Sequence, residues 1–547
     1  MRSVDSPFAT RTGKVLVFLA ILWALTRAWP MAQSVPWIYW EVGVAKKLLE
    51  YGFLERAGAV LDIHFMTGHL PHPERFNYVN HPYPIHWLNT AIYAVGGGWG
   101  IMAFNAVLGL VTCWLVYFAL RSFFPERQSF IGAALFTAAP SAIIFDINMN
   151  HSAQAAIIWP LGVWLVAKIR DGKLTAWWLG LAAFVVGQMS WSPFAVFPLL
   201  ALGAMGLVWK KGDGFETDIH RPMLRALLVG ALLTGAVFAL QIVIYTPNWS
   251  EVFGYIRGQA SSDYGVNTPR MLIGVAMRAA LSLGPALELG ALMGVWKVLR
   301  KQRTDWLRLS TLVFPAIFIC CALLLQRYFY REHHLYEYLL FPMTVLALEG
   351  WGNLRSKAGK ALIVLLVLAG IAYPHIRASV PLVSRTVVQM AEALCTMSSP
   401  DETILTNGRP QQPPYATWDV GGEINTAYLA DRIFRMGMDS AGKMESERDR
   451  FGQDQLPIIF LWNPSEPCGD EVRGLLESAS PGMVLRIQRP GESTGLATKL
   501  RTAYWKLIGK YRTEGIADAP PVSELRAYRL LITKEHPVML LPWNPLN

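Results

Sequence analysis

The positions of positive charges relative to long apolar segments constrain this sequence more than any other feature. About eleven apolar stretches between residues 14 and 373 are each long enough to cross a bilayer core of ~30 Å. The loops between them alternate between basic and non-basic. Because positive residues collect on the cytoplasmic side of a membrane, we predict that the basic loops lie inside and the others outside. The basic loops contain Arg121 and Arg127, then Lys168, Arg170 and Lys173, then Lys210, Lys211, Arg221 and Arg225, then Lys297, Arg300, Lys301 and Arg303, and last Arg355, Lys357 and Lys360.

This pattern predicts a polytopic α-helical membrane protein with about 11 transmembrane helices. The odd number of spans places the N-terminus inside and the C-terminus outside. The first segment has the basic start and apolar middle of a signal peptide, but no small-residue cleavage site follows, so we interpret it as a retained anchor. The spans are expected near residues 14–32, 99–122, 128–145, 152–168, 175–190, 193–209, 223–245, 272–297, 307–326, 335–350 and 358–374.

The composition agrees with a membrane protein, since 53% of the 547 residues are hydrophobic and 16% are charged. A net charge of +10 would be compatible with nucleic-acid binding in a soluble protein. Here much of the positive excess lies in short loops between apolar segments. The topology therefore explains the charge, and no nucleic-acid partner is expected.

The composition changes near residue 385, where long apolar runs stop and Pro, Gly, Ser and acidic residues become more frequent. We therefore divide the chain into a transmembrane module, 1–384, and a soluble exterior α/β domain, 385–547. In this domain Cys395 and Cys468 either form a disulfide in an oxidising compartment or remain free thiols. Strands are expected near 403–405, 457–461, 483–487 and 527–532, and a helix near 499–510.

The exterior loop 33–98 is longer than a connection between two spans requires. It begins with an aromatic run and Glu41, followed by a segment whose apolar residues fall on one helix face, which indicates a helix lying in the membrane surface. The loop thereby brings a carboxylate, imidazoles and aromatic rings to the depth of a lipid-linked phosphate. Its polar stretch includes Asp62, His64 and His81, and an amphipathic run at 85–95 ends in three glycines.

These motifs resemble the GT-C superfamily of polytopic glycosyltransferases, especially its protein mannosyltransferase and aminoarabinose-transferase branch. Members carry an acidic residue before a surface helix ending in Gly, then a His-Pro-Pro-like turn, a helix with Trp, and a Gly before the second span. Here Glu41 precedes a run that ends at Gly52, and the sequence His-Pro-Tyr-Pro at 81–84 precedes Trp87. A second match is the sequence Glu-His-His-Leu-Tyr-Glu-Tyr at 332–338, which precedes a proline as in the late spans of many members.

The resemblance implies transfer of a sugar from a polyprenyl-phosphate donor to an acceptor hydroxyl, with inversion at the anomeric carbon. One carboxylate must take the acceptor proton. We assign this role to Glu41, and the alternative is a helix N-terminal carboxylate stabilised by the dipole. Asp146, the second catalytic candidate, either orients the acceptor or base, or caps a helix. The candidate substrate-binding residues are His81, Tyr83, Asp62, His64 and Tyr336.

The departing lipid phosphate requires cations, preferably arginine, whose planar fork matches phosphate oxygens. A charged residue at membrane depth is costly, so Arg331 beside Glu332 suggests a functional role; the alternative is an interfacial arginine that snorkels to water. Asp62 and His64 lack further ligands at metal-site spacing, so no metal or other cofactor is expected. The candidate phosphate-binding residues are Arg331, His333, His334, Arg327, Arg257 and Arg270.

Two other classes of function remain open. A lipid or polysaccharide transporter would place polar residues and broken helices near the bilayer midplane, whereas the ionisable residues here are expected at the outer rim. A catalytically inactive relative would be a structural subunit of a membrane complex, with 385–547 as its docking surface. For an enzyme, the expected partners are membrane lipids, the lipid-linked donor, and a glycan, lipid or protein acceptor. The expected location is the bacterial cytoplasmic membrane, with the C-terminal domain in the periplasm.

Overall fold

A computed structural model shows two compact units, one of Met1–Glu41 with Val79–Ser379 and one of Val42–Tyr78 with Val380–Asn547. In the first unit the structure describes residues 11–33, 82–147, 156–189, 217–245, 268–300, 305–324, 333–352 and 356–378. In the second it describes residues 45, 48–49, 396, 398, 403–407, 433–435, 437–450, 454–464, 467–486, 524–535 and 538–542.

The described residues of the first unit form helices and the short turns that connect them. Five of its helices are long and apolar enough to span a membrane, or six if α8 and α9 form one bent span. The protein is thus a multi-pass membrane protein, as predicted. The helices are α1 (Arg11–Gln33), α2 (Pro84–Arg121), α3 (Glu126–Thr137), α4 (Pro140–Ile147), α5 (Ile158–Arg170), α6 (Trp177–Gln188), α7 (Thr217–Tyr245), α8 (Thr268–Leu283), α9 (Pro285–Arg300), α10 (Trp306–Leu324), a 3-10 helix (His333–Leu339), α11 (Leu340–Trp351) and α12 (Lys357–Ala378).

The predicted number of about eleven spans stays a prediction. One expected span, 193–209, lies outside the described residues, and several others correspond to helices of only 8 to 13 residues. The expected span 128–145 is divided into α3 and α4 at Pro140, whose ring cannot donate a backbone hydrogen bond. These short helices are apolar but individually shorter than a full bilayer crossing.

Glycines mark the other breaks in the helical unit. The amphipathic run at 85–95 and the span at 99–122 were expected as separate segments, and they form two helical segments that meet at a kink at Gly97 (φ 58°), numbered together as α2. The expected span 272–297 is bent by 105° between α8 and α9. At this bend Gly284 adopts a positive φ of 81°, which glycine tolerates. Pro285 follows it and has no backbone N–H with which to continue α8.

Close helix packing in the first unit depends on small residues. A Cβ added to Gly294 of α9 would overlap the backbone carbonyl of Leu346 in α11, and one added to Gly350 would overlap the carbonyl of Gly290. Gly180 of α6 and Gly230 of α7 make the same kind of approach. Small side chains let helix backbones come together where lipid supplies no hydrophobic drive for association.

The second unit contains a six-stranded mixed sheet with the strand order β2-β1-β3-β5-β4, and β6 pairs with β5. β1, β2 and β3 are mutually parallel, whereas β5 runs antiparallel to β3, β4 and β6. Each of the four strand segments predicted from the sequence coincides with an observed strand. The elements are β1 (Thr403–Thr406), β2 (Ile433–Arg435), α13 (Ala441–Arg450), β3 (Gln455–Trp462), α14 (Asp470–Glu477), β4 (Met483–Arg486), β5 (Glu524–Thr533) and β6 (Met539–Leu540).

Asn407 connects the ends of two parallel strands in this sheet. Its Nδ2 donates to the carbonyl of Asn463 at 2.9 Å and to that of Pro467 at 3.3 Å, and its Oδ1 accepts from the Asn463 backbone N–H at 2.8 Å. Cys468 beside this contact is a buried free thiol, and burial raises its pKa. The disulfide that the sequence left open is therefore not formed at Cys468. Cys395 and the helix expected at 499–510 lie outside the described residues.

Candidate functional site

A buried ion pair lies between the first and fourth helices of the membrane unit. The Asp146 Oδ2 accepts hydrogen bonds from Arg27 Nε at 3.0 Å and Arg27 Nη2 at 2.8 Å. Trp23 Nε1 donates to the same oxygen at 2.8 Å. The Arg27 side chain is completely buried and that of Asp146 is 6% exposed. The pair therefore joins α1 and α4 away from solvent.

The remaining contacts of Arg27 fix its guanidinium in one orientation. Its Nη1 donates to the backbone carbonyl of Thr137 at 2.8 Å and to Thr26 Oγ1 at 2.6 Å. Thr26 Oγ1 in turn donates to the carbonyl of Leu22 at 2.8 Å. An ionised residue inside a membrane protein is tolerated when it is paired and hydrogen-bonded in this way.

The helix α2 also contacts this ion pair, and it contributes a glycine rather than a hydrogen-bonding side chain. A Cβ on Gly109 of α2 would overlap the carboxyl group of Asp146. Two buried polar residues, Asn105 and Thr112, lie one turn before and after Gly109 on the same helix. Asp146 is thus enclosed by α1, α2 and the end of α3, and any larger residue at 109 would displace it.

Asp146 differs from the helix cap that the sequence offered as one alternative. The residue lies within the last turn of α4, and its carboxyl group binds a side chain 119 positions away rather than a local backbone N–H. This contact fixes the orientation of the carboxylate. The role of Asp146 in orienting an acceptor or a base stays a prediction.

A second buried carboxyl group belongs to Glu337 in the 3-10 helix. The residue is 2% exposed and stands between the buried Tyr336 and Tyr338. Among the described residues, neither Oε1 nor Oε2 of Glu337 has a hydrogen-bond partner. The 3-10 helix packs against α4, the helix that carries Asp146. Two acidic groups thus share this region of the first unit.

Two of the predicted substrate-binding residues are described, and both are buried. Tyr83 precedes α2 and is 3% exposed, and its backbone N–H donates to Gln241 Oε1 of α7 at 3.0 Å. Tyr336 is completely buried, with its ring centroid 5.7 Å from that of Phe318 in α10. Both tyrosines are held by neighbouring helices. Binding of substrate by these residues stays a prediction.

The other candidate residues have less or no structural description. Arg270 was expected in a loop, but it lies in the first turn of α8, which begins at Thr268 because Pro269 favours the start of a helix. His333 and His334 are the first two residues of the 3-10 helix. Glu41, Asp62, His64, His81, Arg257, Arg327 and Arg331 lie outside the described residues. Among those that are described, no group of three or more His, Cys, Asp or Glu residues forms a metal site.

Neither Arg27 nor Glu337 was among the functional residues predicted from the sequence. The signal for Arg27 was present, because an arginine inside an apolar span indicates a buried partner or a functional site. Glu337 was noted only as part of a motif. Its burial depends on the 3-10 helix turning the side chain into the unit, which residue spacing does not reveal.

Comparisons with known proteins agree with this architecture. The family model described as dolichyl-phosphate-mannose-protein mannosyltransferase matches residues 80–241. The crystal structure of ArnT from Cupriavidus metallidurans bound to undecaprenyl phosphate has 13% sequence identity and a TM-score of 0.55, and the match covers 88% of this chain and 97% of ArnT. No curated protein matches the sequence.

The chain is also similar to the oligosaccharyltransferase of Archaeoglobus fulgidus, with 12% identity and a TM-score of 0.48 over 83% of this chain and 70% of that one. The chain has the fold of ArnT, and residues 80–241 match the mannosyltransferase family model. Both findings agree with the resemblance to GT-C membrane glycosyltransferases that the sequence motifs indicated.

Proposed function

We propose that this protein transfers a sugar from a lipid-linked donor to an acceptor hydroxyl at the membrane surface. The observation that supports this most strongly is the match of residues 80–241 to a family named for a polyprenyl-type phosphate sugar donor. These residues include α2 to α6, and thus Asp146 and its surroundings. The fold of ArnT, whose structure holds undecaprenyl phosphate, supports a polyprenyl phosphate as the carrier.

In the proposed reaction Glu41 is the general base. Its carboxylate takes the proton of the acceptor hydroxyl as the oxygen attacks the anomeric carbon of the sugar. The bond between that carbon and the phosphate oxygen breaks, and the polyprenyl phosphate leaves with the electron pair. Attack from the face opposite the leaving group inverts the anomeric configuration. The phosphate is a good leaving group, so the reaction needs no separate acid and we propose no cofactor.

The cationic candidates would stabilise the negative charge that develops on the departing phosphate. Arginine suits this task because its guanidinium binds phosphate oxygens in a bidentate manner. We assign this role to Arg331 first, followed by Arg327, Arg257 and Arg270 and by His333 and His334. Tyr336 and the tyrosine and histidine of the 81–84 segment are the proposed substrate-binding residues of the first unit. Asp62 and His64 stay substrate-binding candidates from the sequence.

The buried ion pair has a positioning role in this proposal. Arg27 and Asp146 fix the last two turns of α1, and only seven residues lie between the end of α1 at Gln33 and Glu41. A fixed starting point limits the positions that the base can reach. Catalysis benefits when a reacting group is held near its productive position before the substrate binds.

A donor panel tests the proposed function. Purified protein in nanodiscs would receive undecaprenyl-phosphate esters of a hexose, a pentose and an aminopentose, with a bacterial envelope extract as the source of acceptors. We expect wild-type protein to release undecaprenyl phosphate from at least one ester. Glu41→Gln should reduce that release by at least about a hundredfold, since loss of a general base typically reduces the rate 10²–10⁴-fold.

Glu50→Gln provides the matched control, because Glu50 lies in the same sequence segment and has no assigned role. It should retain wild-type release. Equal rates for wild type and Glu41→Gln would remove Glu41 as the base. Tight binding of every ester without release would instead favour a transporter or an inactive structural subunit.

A further inference from the structure

The carboxyl group of Glu337 is buried without the contacts that would make it a structural residue. Its exposure is 2%, and among the described residues no hydrogen-bond partner contacts either carboxyl oxygen. A buried polar group without a partner reduces the stability of the folded protein, and a charged group reduces it more. An apolar residue or a glutamine would avoid part of this penalty. The fold alone therefore gives no reason for a carboxyl group here.

Asp146 in the same unit is a buried carboxyl group that does have partners. Its Oδ2 accepts three hydrogen bonds from Arg27 and Trp23, at 2.8 to 3.0 Å. These donors belong to α1 and neutralise the charge of Asp146. No comparable arrangement exists for Glu337 in the part of the chain that the structure describes. The two acids therefore serve different purposes.

The local charge selects the kind of ligand that Glu337 can receive. The 3-10 helix of Glu337 packs against α4, which carries Asp146, and Arg27 is ion-paired with Asp146. Carboxyl oxygens accept hydrogen bonds and bring no positive charge, so Glu337 is a poor partner for a phosphate. A neutral group rich in hydrogen-bond donors would satisfy both oxygens of Glu337 without adding negative charge.

We propose that Glu337 accepts hydrogen bonds from hydroxyl groups of the transferred sugar. This inference rests on the proposed function and adds to it a residue that recognises the sugar rather than the lipid phosphate. The 3-10 helix from His333 to Leu339 places Glu337 within the motif that the sequence relates to the start of a late span. A site built to bind substrate hydroxyl groups discriminates strongly against ligands that lack them, because its polar groups are then left without partners.

Binding measurements with two kinds of lipid test this proposal. The probes are undecaprenyl phosphate without a sugar and its hexose, pentose and aminopentose esters, measured with the full-length protein in nanodiscs without acceptor. Wild-type protein should bind at least one ester more tightly than the bare lipid. Glu337→Gln should weaken binding of that ester by up to about tenfold, as expected for loss of one hydrogen bond. It should leave binding of bare undecaprenyl phosphate unchanged.

Glu288→Gln is the matched control, since Glu288 is a half-buried acid of α9 in the same unit. It should bind both lipids as the wild type does. Glu337→Gln should also unfold at about the wild-type temperature, because neither carboxyl oxygen has a hydrogen-bond partner among the described residues whose loss would reduce stability. A lower melting temperature with equal losses for both kinds of lipid would overturn the proposal in favour of a structural role.

If Glu337→Gln does not fold, binding measurements on the wild-type protein alone still test the proposal. Equal affinity of wild type for the bare lipid and for every ester would overturn the proposal. Release of sugar by wild type, combined with unchanged ester binding by Glu337→Gln, would overturn the role of Glu337 and leave the proposed function intact. Absence of both ester binding and sugar release in the wild type would overturn the two together. Because the binding assay contains no acceptor, a loss of affinity for the esters alone would be assigned to contacts with the sugar.

Discussion

Replacement of Asp146 by Asn should destabilise the membrane unit substantially. The change removes the negative charge but keeps an oxygen that can still accept from Trp23 Nε1 and from Arg27. The guanidinium of Arg27, which is completely buried, would then have no ionised partner at the position that Asp146 occupies. Its remaining hydrogen bonds, to Thr137 and Thr26, involve neutral oxygens.

The expected magnitude follows from the burial of this pair. Removing one partner of a buried ion pair typically lowers the free energy of unfolding by about 3–5 kcal/mol, because the other charge remains buried and unpaired. Replacing both partners by apolar residues of similar volume is often neutral. The double variant Arg27→Met with Asp146→Leu should therefore be more stable than Asp146→Asn, even though it removes every hydrogen bond of the pair.

An exposed pair provides the control. Arg121 and Glu126 lie 3.6 Å apart, with side chains 44% and 22% exposed. Arg121→Met should change the free energy of unfolding by less than about 1 kcal/mol. Equilibrium unfolding in bicelles, measured for Arg27→Met, Asp146→Leu and the double variant, would give the coupling energy of the pair. The prediction is refuted if Asp146→Asn is no more destabilising than Arg121→Met. It is also refuted if the stability lost by the double variant equals the sum of the losses of its two single variants.

Two further changes test the packing of the separate units. Gly294→Ala should lower the free energy of unfolding by about 1–3 kcal/mol, because its Cβ would overlap the carbonyl of Leu346. In the same unfolding assay Gly235→Ala should be neutral or stabilising, because a Cβ at Gly235 meets no atom within contact distance. Equal effects would contradict the close approach of α9 and α11. Asn407→Ala should destabilise the second unit by about 2 kcal/mol and speed hydrogen exchange at the Asn463 amide, which loses its acceptor. Unchanged exchange there would contradict this contact.

Runs of apolar, β-branched and aromatic residues predicted the parts of the fold that depend on local sequence. The apolar runs of α1, α7, α10 and α12 appear as long helices, and the short β-branched and aromatic runs of the second unit appear as strands. The glycine run at 96–98 was expected to end a helix, and the backbone is non-helical at Gly97, where the two segments of α2 meet in a kink. Local composition locates such a break and does not determine the direction in which the next helical segment leaves it.

Contacts between distant residues were beyond the reach of the sequence. Arg27 and Asp146 are 119 positions apart, and no periodic pattern relates them. The surroundings of Glu337 likewise depend on how the 3-10 helix and α4 pack, which only a three-dimensional structure supplies. The candidate site could therefore be predicted as a set of residue types near the membrane surface, whereas the pairing of its buried charges could not.

The most direct test of the account measures the fate of the lipid carrier. Wild-type protein in nanodiscs would be incubated with an undecaprenyl-phosphate sugar and the envelope extract, and the lipids and products would be quantified by mass spectrometry. We predict that undecaprenyl phosphate and glycosylated acceptor appear in equal amounts, with the anomeric configuration inverted. Recovery of the intact lipid-linked sugar from protein that binds it tightly would contradict glycosyl transfer.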